Sequence, residues 1–258
     1  MSKHNSLRHA IDILDLFSID NRELGVTDIS KKLGISISNA SRLLKTMNSL
    51  EFLNKDKETR KYFLGSKILK LAKIYFSTID IKRIAHPHLI DINEKTSEMV
   101  TLNKIENDKC ILLDWIESKQ PIRPAISERD MYPPLYAVSP GKVLFAFLPK
   151  DKINELIEST KLIKITNQTI TNKNELKKEI LKIRDEGIAV GKGEFIDHVW
   201  SVSAPVYNWK EEVIAALAIS WLQLDDNTDN LGKYKDIVLN ASQSLSFDLG
   251  YKFFLVDC

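Results

Sequence analysis

The stretch VTDISKKLGISISNASRLLKTM, residues 26–47, decides the fold of the front of the chain. Two short helical patterns lie on either side of Gly34. The first is predicted to begin at a Thr27 N-cap and to bury one apolar side. The second, capped by Ser36 or Ser38, buries an apolar stripe and leaves a polar face free. That polar face contains Ser38, Asn39, Ser41, Arg42 and Lys45.

Two helices joined by a glycine-containing turn, with a polar second helix, are typical of a helix-turn-helix. The alternative is an ordinary helical hairpin in which the glycine only ends a helix. If the motif binds DNA, Arg42 and Asn39 are the candidates for base contacts, because guanidinium and guanine, or amide and adenine, can share two hydrogen bonds. The predicted DNA contacts are Thr27, Ser36, Ser38, Asn39, Ser41, Arg42, Lys45, Lys55, Lys57, Arg60 and Lys61.

A charged hairpin is predicted directly after the second helix. Residues 50–64 read LEFLNKDKETRKYFL, in which apolar residues flank a charged tip as two short strands would. A hairpin in this place is a wing, and its cations, Lys55, Lys57, Arg60 and Lys61, are candidates for phosphate contacts. A solvated charged turn explains the same residues.

Charge is divided unevenly along the 258 residues. Residues 1–80 hold 14 Lys and Arg against 9 Asp and Glu, whereas the remainder holds 23 against 26. A basic front suits a partner made of phosphates, and a slightly acidic rear does not. The composition, 43% apolar and 28% charged, fits one large or two smaller globular domains, and the charge division favours two.

Two further helices are predicted around the helix-turn-helix. The first, over residues 6–18 behind a Ser6 cap, packs against it. The second begins at Ser66 and is apolar on more than one side, so it needs cover on nearly all sides. We expect a second copy of the chain to supply part of that cover, which makes residues 66–80 a linker and dimerisation helix. The alternative places this helix wholly inside one domain.

From residue 81 the pattern changes to a mixture of strands and helices. Helices are predicted over 81–95 with a bend or split at Pro87, from Ser139, from an Asp151 cap, from an Asn172 or Asn174 cap, and over 229–250. Strands are predicted over 99–105, 110–116, 122–126, 188–190, 200–206 and 213–221. The result is a mixed α/β sheet of five to six strands with helices packed on it, large enough to enclose a small-molecule pocket.

Residues for catalysis or metal binding do not stand out in the sequence. It lacks the GxSxG, Walker A and HExxH motifs, and His86 and His88, at i and i+2, belong to different sides of a helix. Cys110 and Cys258 form neither a disulfide framework nor a metal pattern. We therefore expect no catalytic residue, no metal and no cofactor. The sequence shows no apolar run long enough for a membrane span and no signal pattern, which predicts a cytoplasmic protein with no membrane partner.

Two sets of motifs resemble the IclR family of bacterial transcriptional regulators over almost the whole length. SLRHAIDILDLF, IxxxLGIxxSxxxRLLxTM and KYFLG are similar to that family's winged helix-turn-helix. PLYAVSPGKVLFAFLP resembles its PLHATALGKALLAFLP segment, and GIAVGKGEFIDHVWSVSAPV resembles the stretch before its final strands. The resemblance implies an α+β chain. A winged helix-turn-helix over residues 1–65 and a linker helix over 66–80 would precede a GAF-like effector-binding domain over 81–258.

The same resemblance implies a double-stranded DNA operator, a small-molecule effector that is often an organic acid, and a homodimer or homotetramer. It places the effector contacts near Ile122, Ala125, Pro133, Ser139, Pro140, Gly191, Val199 and Ser201, and Tyr136 and Trp200 complete the predicted set. The helix start at Ser139 is independently suited to an anion, because free backbone N–H groups point out of a helix N-terminus. Capping alone explains the same residues.

Several positions depart from the family pattern. Ser201 stands where the family has a cysteine, Gly191 where it has an aspartate and Tyr136 where it has a histidine. The pocket is therefore expected to be less polar on one side, next to Trp200, and to take an uncharged or aromatic-bearing acid. In the second helix, residues 37–42 read ISNASR against the family's Lys-Ser-Thr-Val-His/Tyr-Arg, so the operator sequence cannot be borrowed.

Together these observations predict a DNA-binding transcriptional regulator, with repression as one mode, whose operator affinity an effector controls through the linker helices. Two alternatives remain open. One is an enzyme that uses the rear domain catalytically, and the other is a DNA-binding protein that responds to no effector.

Overall fold

A computed structural model describes residues 3–18, 20–78, 80–125, 131–224 and 229–251, with the side chains of residues 3–5, 73 and 75–78 outside that description. The chain divides into two units, Met1–Ile79 and Asp80–Cys258, and each has a hydrophobic core of its own. In the described part of the chain, the structure contains no helix that is long and apolar enough to cross a membrane.

The front unit is a helix-turn-helix followed by a two-stranded hairpin. Its elements are α1 (Lys3–Asp15), α2 (Val26–Leu33), α3 (Ile37–Ser49), β1 (Leu53–Lys55), β2 (Tyr62–Leu64) and α4 (Ser66–Thr78). Gly34 ends α2 with a left-handed backbone, φ +63°, which a glycine adopts without strain. The core of the unit combines Ile13, Ile29, Ala40, Leu44, Leu53 and Tyr62. One core therefore joins the first three helices to the hairpin.

The predicted helix starts in this unit had mixed outcomes. Ser36 caps α3 as predicted, since its Oγ accepts a hydrogen bond from the Asn39 N–H at 3.3 Å. The predicted caps of α1 and α2 are wrong. α1 contains Ser6 rather than following it. α2 is capped by Gly25, whose N–H donates to the Asp28 carboxylate at 3.0 Å, and Thr27 already lies inside the helix. An acidic residue that reaches back over the first turn takes the place of a hydroxyl cap.

The rear unit is a five-stranded antiparallel sheet between layers of helices. Its helices are α5 (Ile81–Thr96), α6 (Ser139–Ala146), α7 (Lys150–Ser159), α8 (Lys173–Glu186) and α9 (Asp229–Asp248). Its strands are β3 (Met99–Glu106), β4 (Lys109–Ile116), β5 (Ala189–Lys192), β6 (Val199–Tyr207) and β7 (Val213–Leu222). The strand order is β4-β3-β7-β6-β5. This mixed α+β architecture confirms the predicted fold class.

Alternation along the strands gives the two faces of the sheet different partners. Ser201 on β6 lies toward α6, because its hydroxyl is bonded to Ser139. Trp221 on β7 lies toward α9, where it contacts the ring of Tyr234 at a centroid distance of 5.0 Å. Side chains on neighbouring strand positions point to opposite faces. The α6 face therefore carries the small polar residues, and the α9 face carries large aromatic ones.

Two predictions for the rear unit, a strand over 122–126 and a cap at Asp151, are wrong. Residues 122–125 form no strand, since Pro121 and Pro124 remove the N–H donors that a sheet needs, and Ile126 lies outside the described residues. Of the bend or split predicted at Pro87, the split does not occur, since α5 runs through this exposed residue as one helix. α7 is capped by Pro149 and has Asp151 in its first turn. Asn172 caps α8, as predicted, and Gly187 ends it.

Candidate functional site

The exposed side of α3 presents a continuous surface of mainly polar residues. We call Ile37, Ser38, Ser41, Arg42 and Lys45 the reading face. Ser38, Arg42 and Lys45 are exposed, Ser41 is half-buried, and Ile37 in the first turn is 57% exposed. Residues four positions apart adjoin on a helix, so Ile37 lies beside Ser41, and Ser38 beside Arg42. Hydroxyl, guanidinium, ammonium and apolar groups are thus available on one side of one helix.

The predicted exposed position of Asn39 is wrong. Its side chain is only 9% exposed, because it shares the side of α3 that buries Ala40. The Asn39 Oδ1 accepts a hydrogen bond from Arg42 Nη2 at 3.3 Å. In this conformation Asn39 holds the guanidinium of Arg42 in place. The other residues predicted for the helix starts, Thr27 and Ser36, are both exposed.

The hairpin forms a wing whose cations are exposed. We use the name wing for residues 53–64. The Asp56 Oδ1 accepts hydrogen bonds from the Thr59 N–H at 2.6 Å, from the Thr59 hydroxyl at 2.9 Å and from the Glu58 N–H at 2.9 Å, and these bonds hold the pKa of the Asp56 carboxyl below its usual range. The backbone of Tyr62 also pairs with Leu24, which ties the wing to the front of α2. The exposed cations of the wing are Lys55, Lys57, Arg60 and Lys61.

The rear unit contains a cavity of about 110 Å³ on the α6 face of its sheet. We call it the effector cavity. Six residues predicted to contact an effector line it: Ala125, Pro133, Pro140, Gly191, Val199 and Ser201. The sequence prediction did not include the other lining residues, which are Met99, Thr101, Asn103, Leu112, Pro124, Ala137, Val138, Glu194, Phe195, Ile196 and Ser220. Most of this lining is apolar, so a few polar groups set the orientation of any ligand.

A buried hydroxyl pair lies where α6 begins. The Ser139 Oγ donates a hydrogen bond to the Ser201 Oγ at 2.8 Å, and Ser139 is fully buried. A Cβ atom at Gly191 would lie 2.6 Å from that Ser201 oxygen. Gly191 therefore leaves the space that the hydroxyl pair occupies, next to the first turn of α6.

Three other residues predicted for the cavity lie elsewhere. Tyr136 is directed to a separate cleft, where its hydroxyl accepts a hydrogen bond from the Ile163 N–H at 2.9 Å. Ile122 is 72% exposed and does not line the cavity. Trp200 lies on the opposite face of the sheet, with its ring 6.3 Å from that of Trp221. The prediction that these three residues line the cavity is therefore wrong. For Trp200, the reason is that side chains along β6 alternate between the two faces of the sheet.

Sequence reasoning missed a buried ion pair at the cavity wall. Lys142, fully buried on α6, lies with its Nζ 2.5 Å from the Glu194 Oε1 and 3.7 Å from the Glu179 Oε1. Burial raises the pKa of the Glu194 carboxyl above its usual value, and the charge of Lys142 opposes that shift. The Thr169 hydroxyl also donates to the backbone carbonyl of Glu194 at 2.7 Å. The sequence feature that could have indicated this ion pair is the lysine inside the apolar run of α6.

Side chains with metal-binding groups (His, Cys, Asp and Glu) meet at most in pairs in the described residues. His86 is bonded to Asp114 and His88 to Asp248, each at 2.8 Å, at different places. Burial raises the pKa of the Cys110 thiol to about 12, which keeps it protonated. Cys258 lies outside the described residues. Across the described ranges, no three His, Cys, Asp or Glu side chains gather as a metal site requires.

Each of the two units is matched by a family model. The family model for the IclR helix-turn-helix domain matches residues 6–57, and the model for the bacterial transcriptional regulator IclR C-terminal domain matches residues 73–247. The chain belongs to the IclR family. Helix-turn-helix regulators of this family bind DNA operators, so the family assignment makes this IclR protein a DNA-binding transcriptional regulator.

Individual relatives match this IclR chain over nearly its whole length. The HTH-type transcriptional regulator XynR of Escherichia coli is 31% identical, over 95% of this chain and 97% of XynR. The Agobacterium tumefaciens repressor BlcR has the same fold, with a TM-score of 0.83 at 22% identity, over 98% of this chain and 100% of BlcR. An IclR homologue from Microbacterium hydrocarbonoxydans, solved in complex with 4-hydroxybenzoate, gives a TM-score of 0.60 at 19% identity, over 95% and 98% of the two chains.

Proposed function

We propose that this IclR-family regulator binds a small organic acid in the effector cavity, and that the bound acid changes its affinity for a double-stranded DNA operator. The observation that carries the proposal is that Ser201, whose hydroxyl is bonded to the buried Ser139, and the first turn of α6 both border a mainly apolar cavity. Free N–H groups at a helix start favour an anion, and a hydroxyl can donate to a carboxylate. The homologue solved with 4-hydroxybenzoate gives an example of such a ligand in this family.

The cavity wall also favours a ligand with a hydrogen-bond donor. Glu194 lines the cavity, and its Oε2 is buried without a hydrogen-bond partner among the described residues. A buried acceptor left unpaired costs free energy, and a ligand hydroxyl or amino group would remove that cost. The preferred effector is therefore an acid with a hydroxyl or amino group at some distance from its carboxylate.

On the DNA side, we propose that the reading face enters the major groove and that the wing contacts the phosphate backbone. Arg42 is the leading candidate for a base contact, because Asn39 fixes its guanidinium before DNA binds. Ser38, Ser41 and Lys45 would support it, and Thr27 and Ser36 lie at helix starts where phosphate contacts are common. Lys55, Lys57, Arg60 and Lys61 would supply charge from the wing.

A homodimer or homotetramer is part of the proposal. On the front unit, Leu7 of α1 is 68% exposed, and Leu69 of α4 is 69% exposed. Apolar side chains that project into water on two helices favour an interface with a second copy. A dimer would present two reading faces to half-sites about one helical turn, or a multiple of it, apart. The effector acts through this dimer only if it binds better to one state than to another.

The test uses the full chain and an operator selected from random double-stranded DNA. Thermal-shift screening against a panel of organic acids, with 4-hydroxybenzoate among them, identifies ligands, and operator affinity is then measured with and without each hit. We expect at least one acid to raise the melting temperature and to change operator affinity severalfold. Ser201→Val should abolish the acid's effect while leaving operator affinity without acid unchanged.

Two results would overturn parts of the proposal. An acid that binds but leaves operator affinity unchanged at saturation would remove the coupling. A broad library without any hit would favour a DNA-binding protein that responds to no effector. Tryptophan fluorescence is not the readout of choice, since Trp200 lies on the opposite face of the sheet from the cavity.

A further inference from the structure

Ile37 is an unusual residue for the exposed surface of a DNA-binding helix. It is 57% exposed at the first position of α3, directly after the Ser36 cap. The apolar residues that pack the front unit include Ile35 and Leu43, but not Ile37. Packing within the front unit therefore does not explain an isoleucine here.

The neighbours of Ile37 are polar residues of the reading face. Ser41 adjoins it one turn later, and the Ser38 hydroxyl next to it lies 3.2 Å from the Ser36 hydroxyl. Arg42 continues the same face. An isolated apolar side chain among hydrogen-bonding groups matches a surface that presents the same mixture.

The major groove of DNA is such a surface. Base edges there offer hydrogen-bond donors and acceptors, and thymine adds the one apolar group, its C5 methyl. In a helix-turn-helix, the residues at the N-terminal end of the second helix are those that reach base edges. An isoleucine can neither bond a phosphate nor pair with a polar base edge, so burial against a methyl group is the interaction open to it.

We infer that Ile37 selects thymine at one position of each operator half-site by burying its side chain against the C5 methyl. The inference rests on the proposed function, since it requires the reading face to enter the major groove. It adds a chemical preference to that function. One position of the site should distinguish thymine from every base without a methyl group.

The test removes only the methyl group. Each thymine of the selected operator is replaced in turn by deoxyuridine, which keeps the base pair and the hydrogen-bonding edge. At one position per half-site, we expect the wild-type protein to lose about three- to tenfold in affinity, the range expected for one buried methyl group. Ile37→Ala should bind thymine and deoxyuridine equally well at that position.

Leu50→Ala provides a matched control, because Leu50 is 56% exposed at the other end of the same helix. This variant should keep the full dependence on the methyl group. The inference is overturned if the wild-type protein binds every deoxyuridine operator as well as the parent, or if Ile37→Ala keeps the penalty. It is also overturned if Ile37→Ala changes the oligomeric state, since Ile37 would then contact protein. Failure to select any operator would instead break the proposed function.

Discussion

The reading face and the effector cavity differ in exposure and in how far apart their residues lie in the sequence. The reading face lies on one helix, α3, and its side chains project into water where a partner can reach them. The cavity is built from strands β3 to β7, from α6 and from the segments around residues 125 and 195, and a buried ion pair stands in its wall. The residues of the reading face follow one another along a single helix, whereas the residues of the cavity come from segments that are far apart in the sequence.

Because of this difference, substitutions in the reading face should affect function without affecting stability, whereas substitutions in the cavity wall should affect both. Exposed side chains of the reading face can change with little effect on folding, because they lose few contacts. Side chains of the cavity wall are part of the core, so a change there alters the stability of the fold as well as the ligand site. Variants in the two regions should therefore differ in what they change, and five substitutions, taken in order of decreasing effect, test this.

The largest effect is expected from Lys142→Met. The change keeps an unbranched side chain that is one atom shorter, but it leaves the buried carboxylate of Glu194 without its cation, 2.5 Å away in the native chain. Breaking a buried pair by removing one partner costs about 3–5 kcal/mol of unfolding free energy. Urea denaturation, followed by circular dichroism, measures the loss.

Lys95→Met is the matched surface control. Lys95 pairs with Asp91 at 2.6 Å, but both side chains are more than half exposed. An exposed pair of this kind contributes about 0–1 kcal/mol. Equal losses for the two variants would mean that the cavity wall does not depend on its ion pair, and that the comparison between core and surface fails at this site.

Arg42→Ala should reduce operator affinity without a change in stability. If Arg42 contacts a guanine, its removal costs about 1–3 kcal/mol on the selected operator and relaxes the base preference at that position. The free energy of unfolding should stay within about 0.5 kcal/mol of the wild-type value, as for other exposed positions. Gel shift on the operator and on random DNA gives the ratio. An equal loss on both would make Arg42 a backbone contact.

Asn39→Ala sharpens the same measurement. Asn39 is buried and bonds the Arg42 guanidinium at 3.3 Å, so it acts on DNA through Arg42. We expect a smaller loss of operator affinity than for Arg42→Ala, and no additional loss when both residues are replaced. Additive losses would show that Asn39 reaches DNA by itself.

Gly191→Ala tests how tightly the cavity is packed. The added Cβ would lie 2.6 Å from the Ser201 Oγ and would force that hydroxyl away from Ser139. Loss of a neutral buried hydrogen bond costs about 1 kcal/mol. Ser201→Ala in the same chain removes the clashing oxygen, so the double variant should be no less stable than Ser201→Ala alone. A thermal melt of the four proteins checks this cycle.

The two regions also differ in how far sequence reasoning could reach. The Ser36 cap, the Gly34 turn and the wing strands follow from residues within one or two turns of each other, and the structure confirms them. Trp200 was misplaced because a shift of one residue along a strand reverses the face. The pairing of Lys142 with Glu194 joins residues 52 positions apart, and no local pattern contains that information. The prediction for Asn39 was wrong because a polar side chain does not by itself indicate an exposed position.

The smallest effect is expected from Lys57→Ala, and it decides between the two explanations of the wing. Lys57 is exposed at the tip, held out by the turn that Asp56 caps. If Lys57 neutralises a phosphate, its removal should weaken binding to all DNA sequences alike and reduce the slope of log affinity against log salt by about 0.9 for each protomer bound. Lys178→Ala, at an exposed position of α8, should leave the slope unchanged. An unchanged slope for Lys57→Ala would make Lys57 part of a solvated turn, and any phosphate contact of the wing would then have to come from Lys55, Arg60 or Lys61.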